Sequence, residues 1–278
     1  MTTATTAVQQ VRAAQHAWQT WRAERHAELS RPHGWLSLTA LHWLGPHPSA
    51  LPGLPGLWWQ DGTAVWAGPG GGPGLLTVDG AAVAAPTAVL DADGARTVRY
   101  GDLLLEPLHR GEAWGVRVRD PQARTRTAFD GVPTFDYDPA WVVRGRFEPF
   151  PSGPRRTAVG SVADGVQHVA ELAGEVSFEV AGRVHTLAVG TGQRPLVAFR
   201  DATCGQESYP ALRFVPVTIS GGRATIDFNR ATNPPCAFTD FGTCPLPPPG
   251  NTLDLAVRAG ERWPPVATGG FPARLAED

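Results

Sequence analysis

Proline and glycine punctuate this chain so closely that, beyond the first thirty residues, few stretches can hold a regular element longer than a strand. There are 32 glycines and 27 prolines among 278 residues, a pattern that suits short strands joined by many turns. Hydrophobic residues reach 42% and charged residues 18%, which supplies a core. The fold class that follows is mainly β. At this length single cores begin to divide, so one large or two small domains are expected.

The exception is the N-terminus. Thr6 and Gln9 have the spacing of a capping box, and Val8, Val11, Ala14, Trp18 and Trp21 recur at helical spacing, so residues 1–30 read as one amphipathic helix. Pro32 and Gly34 stop it. Trp35 to Leu44 is densely apolar and is expected in the core, as strand or helix.

Residues 31–120 then show short apolar runs broken by Asp61-Gly62, Asp79-Gly80, Asp93-Gly94 and Gly111, the rhythm of a β-sandwich-like unit. Its last run places Trp114, Val116 and Val118 on one face and Arg117 and Arg119 on the other, where the arginines are expected to meet solvent. Residues 121–139, with Gly131, Pro133, Tyr137 and Pro139, read as a linker.

Residues 140–278 read as a C-terminal antiparallel β unit with a Pro-rich wrapping tail. Val176, Phe178 and Val180 alternate with Glu175, Ser177 and Glu179 before a turn at Ala181-Gly182. A second hairpin runs from Val215, Val217 and Ile219 through Gly221-Gly222 to Ala224, Ile226 and Phe228. If that alternation continues, Asp227 and Asn229 share the opposite face, about 7 Å apart. Pro234, Pro235, Pro245 and Pro247 to Pro249 cannot donate ladder hydrogen bonds, so this part should wrap the fold as coil or edge.

Charge excludes some partners. The net charge of -2 and pI near 6.4 leave no basic footprint for nucleic acid or an anionic membrane. All the fixed positive charge is arginine, since the chain has no lysine. No apolar stretch reaches the length of a membrane span and the N-terminus lacks a secretory pattern, so the expected location is cytoplasmic. The expected partners are a small molecule or another protein.

Few familiar motifs survive inspection. The run from Gly68 to Gly74 lacks lysine and carries two prolines, which fits a hairpin loop better than a phosphate cradle. There is no nucleophile elbow of the Gly-x-Ser-x-Gly type and no His-Glu-x-x-His pair. Cys236 and Cys244 are spaced for free thiols, a disulfide or half a zinc site; no second close pair completes four ligands, so neither metal nor cofactor is expected.

The densest polar constellation follows the apolar run Leu196 to Phe199: Arg200, Asp201, Thr203, Cys204, Glu207 and Tyr209. An arginine fork there suits a carboxylate or phosphate, while Asp201, Glu207 and Tyr209 are candidate acids or bases and Cys204 a candidate nucleophile. The competing reading is an internal salt-bridge and turn network.

These residues carry a resemblance. Gly34 to Thr39, His42 to Leu44, Gly115 to Asp120, Arg200 to Tyr209, Asp227 to Phe238 and Cys244 to Pro249 together resemble an uncharacterised, mainly bacterial family known as domain of unknown function 1684. Cys204 stands where the family pattern more usually has Ser, and Pro210 and Ala211 where it tends to have Gly. The resemblance implies no reaction; it directs attention to Arg200, Asp201, Thr203, Glu207, Tyr209, Asn229, Arg230 and Asn233. The run of short strands in the first β unit is also similar, in outline, to forkhead-associated sandwiches, without the loop residues of a phosphothreonine reader.

The functional expectation is a site for a small polar or anionic metabolite built from Arg200, Asp201, Thr203, Glu207, Tyr209, Asp227, Asn229, Arg230 and Asn233. Acid-base hydrolase or isomerase chemistry is a further option at Asp201, Glu207, Tyr209 or Cys204. The alternative is a non-catalytic protein-interaction module, to which the ten tryptophans would lend aromatic anchors.

Overall fold

The structure is a computed structural model; it describes residues 2–70 and 74–264, with side chains from residue 9 onward. The chain forms two compact units, one made of Met1–Ala27 with Asp130–Asp278 and the other of Glu28–Phe129. Nearly all of the N-terminal helix therefore belongs to the same unit as the C-terminal half, and the chain crosses between the units twice, at Ala27/Glu28 and at Phe129/Asp130.

Residues 28–129 hold ten strands among those described: β1 (Leu38–Trp43), β2 (Leu57–Gln60), β3 (Val65–Gly68), β4 (Leu76–Val78), β5 (Ala81–Ala82), β6 (Thr87–Asp91), β7 (Gly94–Ala95), β8 (Val98–Tyr100), β9 (Leu103–Arg110) and β10 (Ala113–Arg119). They form two antiparallel sheets, ordered β1-β10-β9-β8-β4-β5 and β2-β3-β6-β7. Trp58, Val65, Ala67 and Val89 from the smaller sheet meet Val78, Val98, Leu105 and Val116 from the larger in one core, because alternate residues of each strand face inward. The middle of the glycine-rich run, residues 71–73, lies outside the described residues.

Turn chemistry is visible at Asp61. Its carboxylate accepts from the Thr63 hydroxyl and amide, the Ala64 amide and the Trp66 indole. These donors, led by the Thr63 side chain, bring its pKa down to about 2.

Two expectations for this unit are corrected. Trp35 to Leu44 is only partly core: Trp35–Ser37 is a 3-10 turn with Leu36 and Ser37 buried, Leu38 is buried, and Trp43 stays 43% exposed. Arg117 and Arg119 do not meet solvent. Both are buried, because β10 is an interior strand and Trp35 covers its second face, 5.6 Å from the Arg117 guanidinium and 4.9 Å from that of Arg119. Glu106 on β9 takes Arg119 through two bonds of 2.9 and 2.6 Å, so the charge is paired where it is buried.

In the other unit, α1 (Thr2–Leu29) starts before Thr6, which is therefore inside the helix rather than its cap. Its apolar stripe is only partly covered: Trp18 is buried, while Val11 remains 41% exposed. Trp18 donates its indole N–H to the Asn229 carbonyl at 2.8 Å and packs on Tyr137.

Seven strands follow: β11 (Val142–Pro149), β12 (Arg155–Val159), β13 (His168–Val180), β14 (Arg183–Gly190), β15 (Leu196–Phe199), β16 (Arg213–Ser220) and β17 (Arg223–Asp227). They run β12-β13-β11-β17-β16-β15, with β14 also on β13. Both expected hairpins form. Ala181 and Gly182 turn at φ 53° and 74°, Gly221 and Gly222 at 55° and 75°, the left-handed pair a two-residue hairpin needs. The Pro-rich segment lies as expected along an edge, with Val162 bonded to the Cys244 carbonyl and Leu246 to that of Gly160.

This sheet curls until β14 and β15 face each other, and the seam is bridged by a side chain. The Asn251 amide donates to the Ala188 carbonyl at 2.9 Å and the Ala198 carbonyl at 2.8 Å, and accepts from the Ala188 N–H at 2.7 Å. Inside lie Val176, Phe178, Leu187, Phe199, Val215, Ile226 and Phe228. Asn251→Ala removes three bonds at a buried position and is expected to cost about 1–3 kcal/mol. Hydrogen exchange should quicken first at Ala188; unchanged protection there would show that the seam does not depend on this amide.

Candidate functional site

The loop after β15 is organised by a buried ion pair. Asp201 and Arg213 approach to 3.0 Å with both side chains 0% exposed. Asp201 also accepts from the Val257 N–H at 2.7 Å, the Thr203 N–H at 3.2 Å and the Thr203 hydroxyl at 2.9 Å. Arg213 donates onward to the carbonyls of Val257 and Ala259 at 2.9 and 2.6 Å. Thr203 shares a 2.7 Å bond with Ser208. Such a pair is stable only because further hydrogen bonds replace the lost water. Its evident task is to bind the segment 257–259 to the loop.

The other loop residues have separate surroundings. The Cys204 thiol donates to Asp201 and accepts from Ser208, and burial first, then the Asp201 charge, push its pKa up, so it stays a protonated thiol. Tyr209 is buried edge-on to Trp263; burial, then the Cys236 and Cys244 sulfurs, push its hydroxyl up. Glu207 pairs with Arg258 at the surface at 2.9 Å, and Arg200 is exposed, with its backbone bonded to Asn251 and Leu253.

The second segment departs from the expected alternation. β17 ends at Asp227, whose carboxylate accepts from the Asn229 N–H and turns Phe228–Arg230 into a 3-10 turn. Asn229 therefore does not stand on a strand face. It is buried, exchanging bonds of 3.0 and 2.9 Å with the Asp138 backbone and donating to Asp227 at 3.0 Å. Arg230 lies 3.4 Å from Asp227. Asn233 donates to the Arg262 carbonyl at 2.8 Å, and its N–H to Glu261 at 2.6 Å. The nine expected residues thus fall into neighbouring groups tied together by the tail: Asp201 holds Val257, and Glu261 holds Asn233.

Beside the last group opens a groove of about 580 Å³, lined by Trp21, Arg22, Arg25 and His26 of α1, by residues 130–134 and by Glu261. Glu261 is 1% exposed and pairs with Arg25 Nε at 2.9 Å. Arg25 also donates Nη2 to the Asn233 carbonyl at 3.2 Å and lies 5.9 Å from the Phe238 ring centroid. Its Nη1 makes no bond to the described residues. The guanidinium is thus fixed on one side and open on the other. Sequence inspection passed over Arg25, Arg213, Asn251 and Glu261. The spacing of Arg22, Arg25 and His26, which puts three basic side chains on one side of a helix, was the available signal for the groove. No His, Cys, Asp and Glu cluster able to hold a metal occurs among the described residues, and none of their helices is long and apolar enough to cross a membrane.

Fold and site together define a mainly β protein with an N-terminal helix, several antiparallel sheets and a groove in which Arg22 and Arg25 stand with Asp130 and Glu261. Residues 127–262 match the family model described as protein of unknown function (DUF1684), and the chain belongs to that family. The similar segments Gly34 to Thr39, His42 to Leu44 and Gly115 to Asp120 lie outside that match. Among solved structures, an uncharacterized protein of Haloarcula marismortui determined by solution NMR is 33% identical over 49% of this chain and 78% of its own, with a TM-score of 0.41. No curated protein matches the chain.

Proposed function

We propose that the unit of residues 1–27 and 130–278 binds a small polar or anionic molecule in the groove beside α1. The observation that carries this is Arg25: a guanidinium held by Glu261 and the Asn233 carbonyl, with Nη1 left to a ligand. Arg22 adds positive charge, and Trp21 offers an aromatic wall. The polar cluster of Asp201, Thr203, Asp227, Asn229 and Asn233 serves in this reading as the frame that fixes Glu261. Arg200, Glu207 and Arg230 stay at the surface as a second candidate for ligand contact.

Binding is favoured over acid-base catalysis. Cys204 and Tyr209 are held protonated, and the Asp201 carboxylate is occupied by internal donors. The reading is of a cytoplasmic protein, in keeping with three cysteines in a chain of this size.

Thermal shift with inorganic phosphate and small dicarboxylates tests the site. A probe at 100 times its Kd should add about 2.7 kcal/mol to stability. Arg25→Gln and Arg22→Ala should each abolish the shift relative to their own baselines, and Arg200→Ala should keep it. The reverse pattern would move the site to the loop after β15, and no shift with any probe would remove the proposal.

A further inference from the structure

Cys236 and Cys244 are buried and arranged reciprocally. The Cys244 N–H donates to Cys236 Sγ at 3.2 Å, and the Cys236 N–H to Cys244 Sγ at 3.4 Å. Two segments that exchange N–H to sulfur contacts in both directions pass side by side, each sulfur over the other's backbone. A bridge requires the sulfurs to rotate to the bonding separation of about 2.05 Å across a Cα separation of roughly 4.4–6.8 Å. The chain returns tightly at Gly242, where an added Cβ would lie 2.5 Å from Cys236 Sγ. Cys204 has different neighbours, Asp201 and Ser208.

We infer that Cys236 and Cys244 are a covalent modification site, converted to a reversible intramolecular disulfide by hydroperoxides. One thiolate attacks a peroxide oxygen: an S–O bond forms, the O–O bond breaks, and the alcohol or water leaves with the thiol's proton. The second sulfur then attacks the sulfenic sulfur: the S–S bond forms, the S–O bond breaks, and hydroxide leaves with the second proton as water. Two electrons pass from the thiols to the peroxide, and a dithiol reverses the change. The closed ring includes Phe238, the residue beneath Arg25. The assignment is independent of what the groove binds.

The full chain, reduced and then exposed to hydrogen peroxide at a dose that fully oxidises free glutathione, supplies the test. With no lysine in the chain, trypsin cuts after Arg230 and Arg258, so both cysteines fall on one peptide. That peptide should become lighter by about 2 Da, resist alkylation, and recover both reactive thiols in dithiothreitol. Cys204→Ser should behave as wild type. Gly242→Ala, checked for folding by circular dichroism, should lose the bridge because its methyl displaces Cys236 Sγ. Two alkylatable thiols on that peptide after peroxide, a bridge involving Cys204, or an unaffected Gly242→Ala variant would each overturn the inference.

Discussion

Asp201→Ala is expected to cost about 3–5 kcal/mol, because it leaves the Arg213 guanidinium buried without its counter-charge. Both side chains are fully enclosed, so water cannot take the place of the carboxylate. The Val257 and Thr203 amides lose their acceptor in the same step. Asp201→Asn should recover part of the loss, since one carbonyl oxygen can still accept while the charge pair is gone. Hydrogen exchange at β16 amides in the full chain reads this unit alone. A cost under about 1 kcal/mol would show that the pair contributes nothing to stability.

Phe228→Ala should be comparably severe, at about 3–5 kcal/mol, from lost burial plus the cavity left behind. Phe228 is fully buried, and its ring centroid lies 5.4 Å from Phe199, 5.9 Å from Phe178 and 6.1 Å from Trp141. Its place at the start of the 3-10 turn links the core to Asn229. Phe228→Leu should cost under about 1.5 kcal/mol if packing volume is what matters. Equal costs for the two substitutions, measured by the same exchange, would rule that account out.

How much of this was legible depends on the range of the interactions. Both hairpins were readable because their determinants are local: alternating apolar residues and a turn pair that accepts positive φ. The buried charges were partly readable as well. Val197, Phe199 and Asp201 alternate, and so do Arg213, Val215 and Val217, with all six buried. Following each core face one step further puts an aspartate and an arginine on the inside, a pairing that period-two geometry alone suggests.

Other misreadings have physical causes of their own. Asn229 was read as a strand residue, but an Asp two positions earlier can accept the following amide and end the strand, as Asp227 does. Arg117 and Arg119 followed the expected alternation; their burial depends on β10 lying between β1 and β9 and on Trp35 covering the face, which strand periodicity does not encode. Glu261 was opaque because its partners, Arg25 and Asn233, are 236 and 28 residues away. The groove was legible only as three basic residues on a helix, without the segment that forms its other wall.

The Asn251 bridge has a consequence for solubility. A curled sheet closed by one side chain has two strand edges that a ladder would have consumed, and unpaired edges are templates for another chain. By occupying Ala188 and Ala198 from within, Asn251 turns the seam from an adhesive margin into a sealed one. A single amide thus helps decide whether copies of this protein in a crowded solution remain separate molecules or join strand to strand.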